Sequence, residues 1–301
     1  MVRPAAFGFN AETAADNFFQ QPANFPSVEL HQKALSEFDA MVGLLIAKQV
    51  NVIVANDSAD PAKPDAIFPN NWFSTTADGV LHIFPMHALN RRLEKKLDVK
   101  TILQTSFNIE LVKDWSDLEK MDLFLEGTGS MVMDHESRII YACLSNRTKL
   151  EALEQFSHFT GYNVMPFHAA NEKGTIYHTN VMMSIGEGFA LLCPKMISDH
   201  MERIAVAQLL ETTGHENIYV EPEMAEKFAC NILQVKNIKG DKFIVMSATA
   251  YKTFPAIKIK LLEKYGEILS VDVSTIENVN GGSVRCMMAE IFLPAIEPQR
   301  H

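Results

Sequence analysis

Residues 178–194, HTNVMMSIGEGFALLCP, hold the pattern that decides the predicted fold. Two apolar segments are separated by the turn Gly186-Glu187-Gly188, which is typical of a β-hairpin. An amphipathic stretch with apolar residues at helical spacing follows over residues 198–214. A hairpin and helix of this size cannot bury their apolar faces alone, so the unit predicts that similar units pack beside it.

The same order, hairpin and then helix, recurs along the chain with equivalent positions about 50 residues apart. An ordinary α/β protein also alternates strands and helices, but the shared order favours five units closed in a ring around one axis. Short segments rich in Val, Ile and Tyr read as further strands. The hairpins are predicted at 67–86, 127–144, 178–194, 230–247 and 281–294, with residues 2–10 available to complete the last sheet; the helices at 87–97, 148–161, 198–214 and 248–266; the further strands at 51–55, 100–105, 162–170, 217–222 and 267–273.

Composition excludes several classes of function. With 47% hydrophobic and 21% charged residues, the 301-residue chain has ample material for a packed core. The formal net charge of -10 argues against binding nucleic acid or an anionic membrane, because both need a basic surface. No apolar run of about 18 residues predicts a membrane span, and no targeting segment is evident. We therefore expect a single domain over residues 1–301 that resides in the cytoplasm.

The four cysteines are widely spaced and form no CxxC pair, which disfavours a structural zinc site. Three of them, Cys143, Cys193 and Cys230, lie in apolar runs and read as small core residues. Cys286 differs because it follows a Gly-Gly pair, where the backbone can approach a ligand closely. Arg285 beside it adds a positive charge that would favour a thiolate. A buried structural cysteine in a last strand is the alternative for Cys286.

Polar residues occupy equivalent places in the five units, and a ring would bring them to one cavity. His178 can act as a general acid or base near neutral pH. Glu126 ends an apolar run, where a carboxylate is costly without a partner. Asp65 is a weaker candidate because its segment is also good loop sequence. The five segments are 65–71, 126–129, 177–180, 230–231 and 281–286.

Together these segments resemble the guanidino-group-modifying superfamily, the penteins, over essentially the whole chain. The resemblance implies a five-bladed α/β-propeller of ββαβ-type repeats around a central active-site cavity. It is similar to the bacterial arginine deiminase-related and amidinotransferase-like group, to dimethylarginine dimethylaminohydrolases and to citrulline-utilisation hydrolases. The matching motifs are PDAIFPNNWF from position 64, LEGTGSM from 125, SNRT from 145, YHTNVMMSIG from 177 and GGSVRCM from 281.

The resemblance gives each candidate residue a role. It implies Cys286 as the nucleophile, His178 as the general acid and base, and Glu126 as a carboxylate that binds substrate or handles protons. Asp65 would lie near the substrate, and Arg147 would bind a substrate carboxylate, with Arg91 or Arg92 as weaker candidates.

Three positions depart from the family pattern, because Asn71, Gly129 and Asn180 stand where relatives carry Asp. Fewer carboxylates hold a guanidinium cation less strongly, whereas an amide offers both a donor and an acceptor. We therefore include Asn71 and Asn180 among the substrate-binding residues and hypothesise a ureido substrate, with a guanidine left open.

The predicted activity is hydrolysis of C–N bonds in guanidino or ureido groups of arginine-like amino acids through a covalent Cys286 intermediate. An amidinotransferase is the alternative among enzymes, and a catalytically silent amino-acid-binding protein of the same fold is the alternative outside them. No metal or other cofactor is expected. The expected partner is a small guanidino or ureido amino acid, with a homodimer left open and no nucleic acid or membrane.

Overall fold

The structure is a computed structural model that describes residues 1–22 and 26–296. The strands are β1 (Val2–Arg3), β2 (Ala55–Asn56), β3 (Phe73–Thr75), β4 (Val80–Ile83), β5 (Leu111–Asp114), β6 (Val132–Asp134), β7 (Ile139–Cys143), β8 (Asn163–Phe167), β9 (Ala170–Asn171), β10 (Gly174–Thr175), β11 (Met183–Gly186), β12 (Phe189–Leu192), β13 (Glu216–Tyr219), β14 (Leu233–Lys236), β15 (Lys242–Ser247) and β16 (Glu267–Val271).

The α-helices are α1 (Ser27–Ala47), α2 (Val99–Gln104), α3 (Gly127–Ser130), α4 (Leu150–Thr160), α5 (His200–Thr212), α6 (Pro222–Ala225), α7 (Ala248–Tyr251), α8 (Ala256–Leu262) and α9 (Ser274–Asn280). Short 3-10 helices cover Pro69–Asn71, Asn90–Lys96, Ser116–Met121, Thr179–Val181 and Pro194–Met196.

Four three-stranded sheets share one topology. In each, two strands form an antiparallel hairpin and a third strand returns parallel to the second one. The hairpins predicted from the repeat at 67–86, 127–144, 178–194 and 230–247 are therefore confirmed. The sheets are β3-β4-β5, β6-β7-β8, β11-β12-β13 and β14-β15-β16.

The predicted fifth hairpin is wrong. Residues 284–287 form a turn, in which the Met287 N–H donates to the carbonyls of Ser283 (3.3 Å) and Val284 (3.2 Å), and no strand follows up to residue 296. A chain coiled in this way cannot pair as a hairpin. Strand β1 instead pairs in parallel with β2, which joins the N-terminus to the predicted 51–55 segment.

Residues 100–105 are also not the strand that their apolar composition predicts. Residues 100–104 lie in α2 and Thr105 is its C-cap, and the Asp98 side chain accepts a hydrogen bond from the Thr101 N–H at 3.0 Å. An N-cap of this kind stabilises a first helical turn, and it outweighs the β preference of two apolar residues. The third strand of the first sheet is β5, further along the chain.

Predicted helices are confirmed where the helical pattern of apolar residues extends over several turns. Helices α4 and α5 confirm the predictions at 148–161 and 198–214, and residues 87–97 contain the 3-10 helix Asn90–Lys96. The predicted helix at 248–266 is broken into α7 and α8 at Pro255, because proline cannot continue a preceding helical turn.

Helix α1 has no counterpart in the sequence-based assignment. It buries one face at helical spacing against α9 and β16, with Leu30, Ala34, Phe38, Met41 and Leu45 inside. No helix within the described residues is both long and apolar enough to cross a membrane.

The first strands of the four sheets line a common cavity of about 680 Å³. Residues 50–53 and 288–292 complete the wall, so all four hairpins face one interior space. Each first strand starts directly after one of the predicted polar segments. Of the seven residues predicted for the site, the cavity lining includes Asn180 alone, so the cavity borders the polar segments and is not the active-site cavity that the sequence predicted.

Candidate active site

Four of the five polar segments end in a tight turn shortly before a strand, and the fifth, 281–286, precedes no strand within the described residues. A backbone hydrogen bond closes each of the four turns, over four residues at Met131 and over three in the others: Trp72 N to Pro69 O at 3.2 Å, Met131 N to Gly127 O at 3.0 Å, Met182 N to Thr179 O at 3.0 Å and Asn231 N to Phe228 O at 2.9 Å. The seven residues predicted for the site, Asp65, Asn71, Glu126, Arg147, His178, Asn180 and Cys286, are all buried.

The Cys286 thiol lies between two buried amides. Asn231 Nδ2 donates to the sulfur at 3.3 Å and Asn180 Nδ2 at 3.5 Å. The second hydrogen of Asn231 Nδ2 bonds the Asn180 carbonyl at 3.1 Å, and Asn231 Oδ1 accepts from the Arg285 N–H at 3.1 Å. Asn231 therefore ties two of the polar segments to the sulfur.

The glycine pair before Cys286 has two separate structural reasons. Gly281 ends α9 with φ +64°, a left-handed conformation that glycine adopts without strain. At Gly282, a Cβ atom would lie 2.6 Å from the Phe68 ring, so only glycine fits that packing. The pair thus brings the Cys286 segment close to the segment that carries Asp65.

The charge of Arg285 is not aimed at the sulfur, contrary to the prediction. Its guanidinium donates to the Met288 carbonyl at 2.9 Å and to Glu290 at 3.0 Å. A charged group satisfied in this way contributes little to a thiolate that it does not contact.

His178 and Glu126 form a fully buried pair. The Glu126 carboxylate accepts from His178 Nε2 at 2.8 Å and from the His87 N–H at 3.0 Å. Burial lowers the pKa of His178, against the opposing effect of Glu126, so the imidazole is neutral at neutral pH. The Glu126 contact keeps the proton on Nε2 and leaves the Nδ1 lone pair free to accept a proton.

Glu126 stays ionised in spite of its burial. Desolvation alone would raise the pKa of this carboxyl, but Arg147, then His178 and Arg91, hold it well below its usual range. Arg147 Nη1 lies 3.7 Å and Arg91 Nη1 4.0 Å from the carboxylate. Glu126 is therefore a fixed negative charge that can stabilise an imidazolium at His178.

Arg147 is already engaged in this structure. Its Nε donates to Asp16 at 3.0 Å, its Nη2 donates to the other Asp16 oxygen, and Nη2 also bonds the Thr13 carbonyl at 3.1 Å. The bidentate geometry is the one that a substrate carboxylate would adopt. Asp16 belongs to residues 10–21, which we call the N-terminal strap and which cross the site.

The strap also contacts Asp65. Asn10 Nδ2 donates to Asp65 at 2.7 Å and Thr13 Oγ1 at 3.2 Å, while Asn280 donates to the other carboxylate oxygen. Arg91 Nε lies 3.8 Å from the same carboxylate. Asp65 is thus held among polar side chains and one cation.

Arg91 joins Asn71 to a second buried carboxylate. Its guanidinium makes a bidentate pair with Glu94 at 2.8 and 2.9 Å and donates to Asn71 Oδ1 at 2.8 Å. Burial raises the pKa of Glu94 to about 7 although Arg91 opposes that shift. Arg92, the other candidate named from the sequence, donates instead to the carbonyls of Met86 and His87.

Asn71 presents its amide nitrogen to the centre of the site. Arg91 holds Oδ1, which fixes the orientation of the amide and leaves Nδ2 buried without a hydrogen-bond partner. A Cβ atom on Gly129 would lie 2.3 Å from Asn71 Nδ2 and 2.8 Å from His178 Nδ1. The absence of a side chain at residue 129 therefore leaves the room that the Asn71 amide occupies.

The other three cysteines behave as core residues, as predicted. Burial raises the pKa of Cys143 to about 12, that of Cys193 to about 11, and that of Cys230 well above its ordinary value. They stay thiols at neutral pH. Within residues 1–22 and 26–296, no cluster of three or more His, Cys, Asp or Glu side chains could hold a metal ion.

Sequence reasoning missed Asn10, Asp16 and Asn280 as members of the site, and it placed Asn231 in the polar segment 230–231 without giving it a role. Asn231 carried a usable signal, because Asn71-Trp-Phe, Asn180-Val-Met and Asn231-Ile-Leu repeat the same pattern of an amide before two apolar residues. The strap residues carried none, since they lie outside the repeat.

Comparison with solved structures identifies the fold. The chain matches a variant of the N-terminal domain of ArgZ covalently bonded to a reaction intermediate, with a TM-score of 0.73 and 17% identity over 98% of both chains. Unliganded AgrE gives 0.70 and 17% over 95% of this chain and 38% of its own. A dimethylarginine dimethylaminohydrolase adduct with 4-chloro-2-hydroxymethylpyridine gives 0.63 and 17% over 85% and 90%. The fold is that of the pentein superfamily of guanidino-modifying enzymes.

The family follows from the sequence. The family model described as N,N dimethylarginine dimethylhydrolase, eukaryotic, matches residues 3–293, and the chain belongs to that family. Among curated protein sequences none matches the chain. ArgZ is described as an arginine dihydrolase from the ornithine-ammonia cycle in cyanobacteria, and this chain spans 41% of its full length.

Proposed function

We propose that this chain is a cysteine-dependent hydrolase that cleaves C–N bonds of a ureido group on an arginine-like amino acid. Cys286 is the nucleophile, His178 the acid and base, and Glu126 the charge that stabilises the protonated imidazole. The family membership and the buried pair of His178 and Glu126 support this chemistry. The orientation of the Asn71 amide carries the choice of substrate.

The first half of the reaction forms a covalent intermediate. The thiol proton of Cys286 passes to His178, and the sulfur attacks the ureido carbon. The C–S bond forms, and the C–N bond to the terminal nitrogen breaks as His178 returns its proton to the departing ammonia. Glu126 supplies the negative charge that stabilises the transient imidazolium in a buried site.

The second half uses water. Neutral His178 takes a proton from water, the oxygen attacks the thiocarbamate carbon, and the C–S bond breaks with the sulfur leaving as a thiolate. The product is an N-carboxylated amine, which decomposes to the amine and carbon dioxide. One ureido group and one water thus give amine, carbon dioxide and ammonia.

The amides at residues 71 and 180 fit a ureido group better than a guanidinium. A guanidinium offers only N–H donors, whereas a ureido group adds a carbonyl oxygen that accepts. Asn71 Nδ2 is a buried donor without a partner, and Asn180 Oδ1 is a buried acceptor without one. A ureido carbonyl and its terminal nitrogen would satisfy both, while a guanidinium would leave the Asn71 donor facing another donor.

The amino-acid end of the substrate needs a cation. Arg147 is the candidate, with Asp65 near the substrate nitrogen atoms and Arg91 behind Asn71. Because Asp16 occupies Arg147, binding of a substrate carboxylate requires the strap contact to be exchanged for the new one. That exchange also opens a path into a site whose side chains are buried.

A substrate panel assayed for ammonia tests the proposal. Citrulline and other ureido amino acids should be hydrolysed with a kcat/KM at least tenfold above those of arginine and methylarginines, since one unpaired buried donor costs about 1–3 kcal/mol. Cys286→Ser is the inactive control. Faster turnover of arginine or a methylarginine would contradict the ureido assignment. Transfer of the amidino group to an added amine, without release of ammonia, would identify an amidinotransferase instead.

Asn71→Asp sharpens the same test. A carboxylate at residue 71 would pair with Arg91 and replace the free donor by an acceptor, so preference should move toward guanidino substrates by roughly tenfold. The matched control is Asn217→Asp, a change of the same kind at an amide that bonds the Ala207 carbonyl and Glu211. An unchanged ratio of ureido to guanidino activity in Asn71→Asp would remove Asn71 from substrate selection.

We further propose that the sheets form a five-bladed α/β-propeller in one domain, with the segment around Cys286 and the pair β1-β2 in the fifth position. The shared cavity wall supports this arrangement. Residence in the cytoplasm and assembly as a homodimer stay predictions.

A further inference from the structure

The sulfur of Cys286 has neutral hydrogen-bond donors. Among the described residues, the donors recorded at the sulfur are Asn231 Nδ2 and Asn180 Nδ2, both of them amides. Thiolates in proteins are usually stabilised by a nearby cation or a helix N-terminus. The candidate cation, Arg285, is committed to Glu290, so the amides are the groups left to stabilise a thiolate.

The orientation of the Asn231 amide is fixed by two contacts with the backbone. Its Oδ1 accepts from the Arg285 N–H, which cannot act as an acceptor, and one hydrogen of Nδ2 points to the Asn180 carbonyl, which cannot act as a donor. The remaining N–H therefore points to the Cys286 sulfur. A flipped amide would break both backbone contacts.

We propose that Asn231 is a catalytic residue, whose N–H stabilises the Cys286 thiolate together with that of Asn180. The thiol can itself donate to Asn231 Oδ1, but that contact is 3.7 Å long, whereas the two amide nitrogens lie 3.3 and 3.5 Å from the sulfur. A hydrogen bond to an ionised acceptor is roughly twice as strong as one to a neutral acceptor, so the two amide donors favour the thiolate over the thiol. Because the amides carry no charge, the stabilisation persists when a cationic or neutral substrate enters. The inference rests on Cys286 as the nucleophile of the proposed hydrolase and adds a residue to that site.

Other titratable groups lie on the segments that carry Cys286 and its two amide donors, or on the segments beside them. Tyr177 and His178 lie on the 177–180 segment, Asp65 and Glu126 on the segments beside it, Cys230 next to Asn231, and Arg285 on its own segment. Each carboxylate is already paired, Asp65 with Asn10 and Asn280 and Glu126 with His178. Changes at Asn231 leave these pairs intact, which makes the amide separable from the charges.

The test is the pH dependence of Cys286 alkylation by iodoacetamide, followed by mass spectrometry of the Cys286 peptide. Asn231→Leu removes the donor at nearly constant volume, and Asn231→Asp keeps the acceptor for Arg285 N–H while replacing the donor by a carboxylate. Both should move the labelling midpoint upward, by about one to two pH units for Leu and further for Asp. Asn217→Leu and Asn217→Asp are the controls and should leave the midpoint in place.

A shifted midpoint with an unchanged rate at the high-pH plateau supports the inference, because a merely structural role would lower the plateau instead. A midpoint within about 0.3 units of wild type, with a lower plateau, would overturn it. If Asn231→Leu does not fold, Asn231→Asp decides alone by the same two outcomes. Labelling needs no substrate, so a protein that shows the shift and yet hydrolyses no ureido or guanidino compound contradicts the proposed function and not the role of Asn231.

Discussion

The two sides of the candidate site use opposite physical means. The sulfur side holds Cys286 between the neutral amides Asn180 and Asn231. The charged side packs two arginines against buried carboxylates, with distances of 2.8 to 4.0 Å for Arg91 and 3.7 Å between Arg147 and Glu126. On the charged side, charges that compensate one another hold the side chains in place and bind a charged end of the substrate. On the sulfur side, the neutral amides can stabilise the sulfur as its charge changes during the reaction.

The largest expected effect lies on the charged side, at Glu126. Glu126→Gln removes the charge that stabilises an imidazolium at His178 and should lower kcat by roughly 10³-fold. It also leaves two buried arginines with less compensation, at a cost of about 3–5 kcal/mol in the free energy of unfolding. Ammonia release and chemical denaturation measure the two effects.

A matched control exists at the surface. Glu202 accepts from His168 at 2.9 Å in a pair of the same chemistry, but His168 is 65% exposed in its side chain. Glu202→Gln should change neither kcat nor stability by a measurable amount, because an exposed pair contributes little. Full activity in Glu126→Gln would show that the charged side only holds the fold.

A second, smaller effect is expected where the strap meets the charged side. Asp16→Asn weakens the contact that occupies Arg147. A substrate carboxylate then displaces a weaker partner from Arg147, so KM should fall by about three- to tenfold. The value of kcat should stay within about twofold, since Asp16 does not touch the reacting atoms. Steady-state kinetics on the best substrate of the panel measures both.

The control for Asp16 is the bidentate pair of Asp39 and Arg3, at 2.8 Å for both contacts on the surface. Asp39→Asn should leave KM unchanged. A raised KM in Asp16→Asn would mean that the strap carboxylate helps to hold substrate, which reverses the assigned role.

The sequence could predict the site residues that follow the repeat, but not the contacts outside it. The repeat of about 50 residues placed Asn71, Glu126, His178 and Asn180 in equivalent turns, because local hydrophobic period and turn residues determine where strands begin. The same pattern placed Asn231 in the segment 230–231, although it gave that residue no role. The contacts of Arg147 with Asp16 lie 131 positions apart and follow no period, so only the folded chain reveals them.

The errors have the same origin. Residues 100–105 are apolar enough for a strand, yet one side-chain cap at Asp98 makes them helical. The last hairpin fails because the Cys286 segment coils into a turn that serves the site rather than a sheet. Sites are where local sequence preferences are expected to be overruled.

An effect on stability alone, with no part in the reaction, is expected at the second carboxylate of the charged side. Glu94 has a pKa raised to about 7, from an ordinary value of 4.5, because burial outweighs Arg91. Between those two pH values the unfolded chain has lost the proton that the folded chain still holds. The Glu94 contribution to the free energy of unfolding is therefore full below pH 4.5 and falls by roughly 3 kcal/mol as the pH rises to about 7.

Glu94→Gln should remove this dependence, so the difference in unfolding free energy between wild type and variant declines from pH 4.5 to 7 and is flat above. Denaturant titrations across that range measure it. Glu126→Gln is the control of opposite sign: the pKa of Glu126 lies below its usual range, so its contribution is present above pH 4.5 and is lost as the pH falls below that value. Parallel curves for wild type and Glu94→Gln would mean that Arg91 keeps Glu94 ionised in the fold, and that the charged side is compensated more completely than its burial indicates.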